Sequence, residues 1–225
     1  SLGEFASLAA AGVLPFDQGL RLVAKRGELM ADACRKSEGG MTAVLNADPD
    51  LVANVCEAHD IDVANYNCPG QIVISGEKEK MKQAVEDLRE HGVKRVVPLQ
   101  VDGAFHSRLM APAAEAFQPE LDKVELHAPR SGLVQNVTGN LVDKPAQIRD
   151  NLARQITGSV HWESCVRAMI AKGAEAFIEL GPGKVLSGFM RKIDRSLPTS
   201  CIGSLEDVEK TLQNWKKSNP RTEKR

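Results

Sequence analysis

Apolar and polar positions follow two different periods along this chain, and the switch between them divides it. Residues 3–11 are small and helix-favouring and stop at Gly12. A second helical pattern starts between Pro15 and Asp17, runs to about Cys34, and breaks at Lys36-Ser-Glu-Gly-Gly40. Within it Leu22 and Met30 lie four residues to either side of Arg26, and Val23 and Leu29 lie three, so an arginine occupies the middle of the apolar stripe. The period then shortens. Residues 41–46 pattern as a strand, 48–59 as a helix capped by Asp48, and 62–67 and 71–76 as two strands joined through Cys68-Pro-Gly70. Residues 77–91 form an amphipathic helix pattern with Met81, Val85 and Leu88 on one face, and 93–101 return to strand. The β-α-β-β-α-β order over 41–101 is ferredoxin-like and predicts a small subdomain inserted into a larger domain.

That larger domain spans 1–40 and 102–210. Its second part carries helices over 110–124 (despite Pro112 and Pro119), 146–156 and 162–172, with a strand over 132–136. A buried-looking strand over 176–180 leads into Gly181-Pro-Gly-Lys184 and a further helix. Strand alternating with helix predicts an α/β fold whose core is a mainly parallel sheet with helices on both faces. Residues 211–225 read as a polar, basic, frayed tail.

Composition narrows the function more than the fold. The 225 residues are 42% hydrophobic, enough for a sizeable core. A net charge of −1 gives no reason to expect a nucleic-acid partner, and no apolar run approaches the ~20 residues that span a membrane. Five cysteines, Cys34, Cys56, Cys68, Cys165 and Cys201, are an odd number without repeated close spacing. They fit small, partly buried thiols in a reducing, cytoplasmic setting better than a disulfide framework or a zinc site. No histidine or carboxylate cluster suggests a metal, and no cofactor is expected. The opening Ser-Leu-Gly-Glu-Phe has no initiator Met, signal or transit peptide, and reads like the second half of a motif.

Ser1-Leu-Gly3 followed at once by a helix matches the end of a G-x-S-x-G nucleophile elbow, where the serine hydroxyl is exposed at a helix N-terminus. The Leu2 N–H would then donate to a developing oxyanion. An ordinary N-terminal cap carries the same residues, and the helix directly after Ser1 speaks against an N-terminal-nucleophile hydrolase. Arg26 on a buried stripe needs an anion, which is either a core carboxylate or the carboxylate of a substrate gripped by the guanidinium fork. His106 closes Val101-Asp-Gly-Ala-Phe-His-Ser107, just past a strand end, and has the pKa range of a general base. His59 and His91 end helices, His127 lies in a polar loop and His161 abuts Trp162, so all four are poorer candidates. Asp102 is too near His106 in sequence to orient it from behind. Gly181-Pro-Gly-Lys184 lacks the spacing of a phosphate loop. Lys94, Arg95 and Arg108 form a positive cluster in sequence, either a solvated face or a landing surface for an acidic partner or the phosphates of coenzyme A.

The ordered set of motifs resembles the malonyl-CoA:acyl carrier protein transacylases and the related acyltransferase domains of polyketide synthases. The similarity runs from Ser1-Leu-Gly-Glu4 through Val23-Ala-Lys-Arg-Gly27, Asn67-Cys-Pro-Gly-Gln71, Gly103-Ala-Phe-His-Ser107 and Asn136-Val-Thr-Gly139. It continues over Arg154-Gln155, Val160-His-Trp162 and Glu179-Leu-Gly-Pro-Gly-Lys184, reaching about Leu205. The resemblance implies an α/β-hydrolase-like core with a ferredoxin-like insertion. It also implies Ser1 as the nucleophile, His106 as its base, and Gln155 as the residue whose main-chain carbonyl holds the other imidazole nitrogen. Arg26 corresponds to the arginine that pairs with the malonate carboxylate, Phe105 to a position favouring malonyl over methylmalonyl, and Asn67, in its shared motif, to a substrate-binding residue. Malonyl-CoA is then a substrate rather than a cofactor, and acyl carrier protein the partner. The family's Gly-His before the serine, its earlier oxyanion glutamine and the strand beneath the elbow have no counterpart in these residues, so the chain alone is expected to be inactive or insoluble. The competing readings are a polyketide-pathway acyltransferase, a thioesterase-like serine hydrolase, and a non-catalytic module that docks carrier protein.

Overall fold

Ser1 and Leu2 lead directly into α1 (Gly3–Ala10), whose Phe5 and Leu8 are buried. Gly12, at φ +72°, ends the helix in a conformation other residues rarely adopt. The next helix, α2 (Phe16–Arg35), buries Leu22, Arg26, Met30 and Ala33 on one stripe, as the spacing predicts. The structure, a computed structural model, describes residues 1–218 and divides into two units, residues 1–169 and the described residues from 170 on.

The first unit continues with β1 (Gly39–Leu45), α3 (Pro49–Ala58), β2 (Asp62–Cys68), β3 (Gln71–Glu77), α4 (Lys78–Glu90) and β4 (Arg95–Pro98). These strands form an antiparallel sheet in the order β2-β3-β1-β4. The predicted βαββαβ sequence of elements is therefore present. Asp48 caps α3 by accepting from the Asp50 and Leu51 N–H groups. Alternation along the strands sends Val44, Ile72 and Ile74 into a core with α3 and α4, and Met41, Ala43, Ala64 and Val73 into a second cluster. Two details differ from the sequence reading. Ala84 rather than Val85 is fully buried on α4, and β4 ends at Pro98, which has no N–H to continue a ladder.

A 3₁₀ turn (Arg108–Met110) follows, then α5 (Ala111–Asp122), β5 (Val134–Gln135), β6 (Asn140–Leu141), α6 (Pro145–Arg154) and α7 (Trp162–Ala171). The apolar faces of α1, α2, α5 and α6 share one core that includes Phe5, Leu22, Phe117 and Leu152. Phe105 packs against both this core and the Met41–Ala43 cluster, joining helices to sheet. Residues 158–160 are stitched to β2: the Tyr66 N–H donates to the Val160 carbonyl at 2.8 Å, the Val160 N–H to Ala64 at 2.8 Å, and Ser159 Oγ to Val63 at 2.5 Å. The mainly parallel sheet expected from strand–helix alternation is not formed among the described residues. Residues 132–136 contribute a two-residue strand, because the chain turns back at Gly139 (φ +65°) and β5 pairs antiparallel with β6.

In the second unit, β7 (Phe177–Leu180), α8 (Val185–Ile193), β8 (Thr199–Ile202) and α9 (Leu205–Ser218) follow, with β7 and β8 parallel across α8. Glu179 caps α8 by accepting from the Leu186 and Ser187 N–H groups and the Ser187 hydroxyl. The buried appearance of 176–180 is not met: Leu180 is 76% exposed, since β7 has one strand neighbour among the described residues. Neither β8 nor α9 is predicted above. The signal for α9 is the Ser204-Leu-Glu-Asp207 cap, in which Ser204 and Asp207 hydrogen-bond each other. It carries helix into the expected tail, of which 219–225 lie outside the described residues. No helix among the described residues is long and apolar enough to cross a membrane.

Candidate active site

The start of α1 and the middle of α2 meet at one oxygen. Arg26 Nη2 donates to Ser1 Oγ at 2.9 Å, although the two residues belong to different helical segments. Leu2 already has helical backbone angles, so Ser1 stands at the N-terminal end of α1, where helix N–H groups favour negative charge. Arg26 is 6% exposed, its guanidinium lies 5.8 Å above the centre of the Phe5 ring, and its buried Nε has no hydrogen-bond partner. Burial pulls Arg26 down to about 10, and the Glu4 carboxylate opposes that shift, so the side chain remains a cation at neutral pH. None of the salt bridges among the described residues includes Arg26. Of the two sequence alternatives, the core ion pair is thus the one the geometry does not form.

His106 occupies the left-handed region at φ +56°, a strained position for a residue with a Cβ. The loop reaches it by passing close to α2: a Cβ on Gly103 would stand 2.2 Å from Cys34 Sγ. The strain aims the ring inward, where His106 Nδ1–H donates to the main-chain carbonyls of Gln155 at 2.9 Å and Gly158 at 3.1 Å. Two carbonyl acceptors require the proton on Nδ1 and leave Nε2 as the basic nitrogen. Burial is the largest effect holding the imidazole at about 4, with the Arg26 cation adding to it, against the two carbonyls, which raise it. Gln155 closes the arrangement by donating from Nε2 to the Ser1 carbonyl at 3.4 Å, while its buried Oε1 has no partner. Ser1, Arg26, Gln155 and His106 therefore form one connected group. Asp102 has no place in it.

Other candidates fall outside that group. Leu2 lies beside Ser1 and Phe105 beside His106, the latter as a packing residue. Asn67 is buried near the end of β2, apart from the hydrogen-bonded group. The positive cluster of Lys94, Arg95 and Arg108 is not a cluster in space. Lys94 and Arg95 stand exposed at the start of β4, one edge of the sheet, whereas Arg108 binds Asp60 and Asp62 at the β2 edge. The intervening β3 and β1 separate those edges by about 14 Å at the usual strand spacing, and both ends of Arg108 are occupied by acids. Among the remaining histidines, His59 and His91 share Asp87, and His161 stacks on Tyr66 at 5.2 Å. A cleft lined by Tyr66, His161, Glu163, Ser164 and Arg167 has a volume near 220 Å³ but contains none of the connected group. Among the described residues no three His, Cys, Asp or Glu side chains converge to hold a metal ion.

Sequence reasoning overlooked a second layer. Glu4 is 6% exposed; its Oε1 accepts from Gln135 Nε2 at 3.0 Å and its Oε2 from the Asn136 N–H at 2.9 Å. Gln135 in turn donates to the Ile148 carbonyl and accepts from Asn151. A carboxylate in the second turn-position of an apolar helix was the available signal. Gly158 was invisible, because a main-chain carbonyl leaves no trace in residue identity.

Known proteins resemble this chain over most of its length. Residues 1–217 match the family described as acyl transferase domain. The malonyl CoA-acyl carrier protein transacylase of Bacillus subtilis (strain 168) is 40% identical over 224 residues, 97% of this chain and 71% of that protein. The crystal structure of malonyl CoA-acyl carrier protein transacylase from Clostridium perfringens superposes with a TM-score of 0.93 at 36% identity, covering 98% of this chain and 71% of the other. A malonyl-transacylase solved in complex with its holo type II PKS acyl-carrier protein gives 0.89 at 32% identity, covering 94% and 70%. With the match extending over nearly every described residue and the same mixed α/β fold, the chain belongs to the acyl transferase domain family.

Proposed function

We propose that this protein transfers a malonyl group from malonyl-CoA to the phosphopantetheine thiol of acyl carrier protein, through an ester on Ser1. The observation that carries the site reading is the 2.9 Å bond from Arg26 to Ser1 Oγ, made by a buried guanidinium with an unused Nε. Malonate is a three-carbon diacid, so when one end is esterified to Oγ its free carboxylate lies within a few ångströms of that oxygen, which is where these donors are. A hydrolase of uncharged acyl chains gains nothing from such a cation.

Each half-reaction follows from the geometry. His106 Nε2, made basic by the pinned Nδ1–H, takes the Ser1 proton as Oγ attacks the thioester carbonyl. The Leu2 N–H at the head of α1 donates to the oxyanion. Collapse expels coenzyme A as a thiol, with the proton returned by His106. The carrier thiol then attacks the ester, His106 again accepting and returning one proton, and Ser1 is regenerated. Gln155 acts through its main chain, filling the place an aspartate holds in other triads. Phe105, wedged between helices and sheet, limits room beside the malonyl methylene and favours it over a branched one. Lys94 and Arg95, at one exposed edge, are basic residues available to an acidic carrier protein, and Asn67, buried near the end of β2, is read as a substrate-binding residue from its shared motif. We read the antiparallel βαββαβ sheet as the ferredoxin-like insertion of an α/β-hydrolase-like core, working in the cytoplasm without a cofactor.

The test is peptide mass mapping of the full-length protein after incubation with malonyl-CoA. A gain of about 86 Da on the peptide containing Ser1, discharged by holo acyl carrier protein, is expected from a malonyl-serine ester. No adduct would favour the docking-module reading. Discharge by water as fast as by the carrier would favour the hydrolase.

A further inference from the structure

Ser1, Arg26, His106 and Gln155 account for the chemistry, yet a further, charged side chain, Glu4, is buried behind them without a stated role. Glu4 sits one helical turn from Ser1 on α1, beside Phe5, whose ring lies beneath Arg26. Both carboxylate oxygens accept an N–H, one from Gln135 and one from Asn136, the pattern an ionised carboxylate makes. It forms no salt bridge with Arg26, because its oxygens are committed to the 135–136 segment. We propose that Glu4 is a positioning residue for the acyl-binding arginine: a buried countercharge that offsets the cost of holding the guanidinium out of water beside Ser1 while leaving its N–H donors free for the substrate carboxylate.

The alternative arrangement shows why separation matters. A carboxylate in direct contact with Arg26 would satisfy the cation but occupy the fork that must receive the substrate. With no carboxylate nearby, the buried cation would stand without a countercharge, which is costly away from water. A countercharge fixed one layer away avoids both. Consistent with this, Glu4 raises the Arg26 pKa against the dominant effect of burial. The Gln135–Asn151–Ile148 hydrogen bonds hold the clamp on Glu4 rigid, so the charge cannot swing forward to pair with Arg26.

This proposal rests on Arg26 binding the malonyl carboxylate, and the test separates the two. In the full-length protein, kcat and KM are measured with malonyl-CoA and acetyl-CoA for wild type, Glu4→Gln, Arg26→Ala and the double variant. Glu4→Gln is expected to lower the malonyl-to-acetyl ratio of kcat/KM about tenfold, mostly through KM for malonyl-CoA, with acetyl transfer within threefold of wild type. In the Arg26→Ala background the same change should leave the ratio unaltered. Equal loss for both substrates, or an equal fall in ratio with Arg26 absent, would show that Glu4 only clamps the 135–136 segment. If Glu4→Gln does not fold, Glu4→Asp decides: a ratio within threefold of wild type despite a lower Tm supports the countercharge, and a ratio as low as that of Arg26→Ala overturns it. A wild-type protein without malonyl preference, or an unchanged ratio in Arg26→Ala, defeats the reading of Arg26 and the proposal with it. A collapsed ratio in Arg26→Ala beside an unchanged one in Glu4→Gln overturns the Glu4 role alone.

Discussion

Replacing Arg26 by alanine removes the guanidinium that donates to Ser1 Oγ. The side chain is 6% exposed and its Nε is unsatisfied, so a substrate carboxylate meeting it would form a largely desolvated, charge-assisted pair. Truncating one partner of such a pair costs about 2–5 kcal/mol. The Arg26–Ser1 bond is only part-buried, which places the expected loss in the lower part of that range. About 2–3 kcal/mol corresponds to a ~30- to 200-fold fall in kcat/KM for malonyl-CoA. The stability change should be small. Removing a buried guanidinium relieves the desolvation that depresses its pKa to about 10, offsetting the lost contact with Phe5, worth about 2 kcal/mol at a desolvated site. The assay is kcat/KM for malonyl-CoA and acetyl-CoA at saturating carrier protein, with Tm by calorimetry. Acetyl transfer should stay within threefold of wild type and Tm within a few degrees. An equal loss for both substrates, or a malonyl loss below threefold, would refute the carboxylate clamp.

Because the imidazole of His106 is held at about 4, its basic form persists far into acid, and kcat/KM should stay level from pH 8 through 6.5 and fall only as pH approaches 4–5. The stability sign is the same: with the folded value below the unfolded one, His106 contributes fully above about 6.5 and loses that contribution as pH drops toward 4; an activity inflection at or above 6.5 would contradict the burial argument. Gly158→Ala would put a Cβ 2.8 Å from the Arg154 carbonyl oxygen and 2.8 Å from Val137 Cγ2. It should destabilise by about 1–3 kcal/mol and lower kcat at least tenfold, whereas Gln155→Ala, which keeps the carbonyl that holds His106, should cost less than tenfold; steady-state rates and Tm separate them, and the reverse order would refute the main-chain anchor. Reversing Lys94 and Arg95 to glutamate should raise KM for acyl carrier protein without altering hydrolysis of the acyl-enzyme, while Arg108→Ala, already paired with Asp60 and Asp62, should leave that KM within twofold.

Side-chain periodicity made most of the first unit legible. The stripe Leu22–Arg26–Met30 announced both the buried face of α2 and the anomaly on it, and the alternation in 41–76 gave the strand order its elements. What periodicity could not supply was pairing. The run 132–136 looks like any interior strand, and only the positive φ of Gly139 decides that it folds back on itself. Proximity in sequence misled in the same way at Lys94, Arg95 and Arg108, since the sheet order sends nearby residues to opposite edges. At the site, Ser1, Arg26 and His106 were visible because their chemistry lies in their side chains. Gln155 came from resemblance, and Gly158 from neither, because main-chain carbonyls are common to every residue. Glu4 was passed over since its partner, the 135–136 segment, is more than a hundred residues away.

The short stitch between residues 158–160 and β2 has a mechanical meaning. On one side the Gly158 carbonyl steadies the imidazole; two residues later Val160 is locked into the edge of the antiparallel sheet by paired hydrogen bonds. So short a tether has little slack. A shift of β2 by about 1 Å would be delivered to the carbonyl that aims His106, a displacement that can cost a catalytic group ~100-fold. The position of that sheet edge and the aim of the His106 ring are therefore mechanically linked.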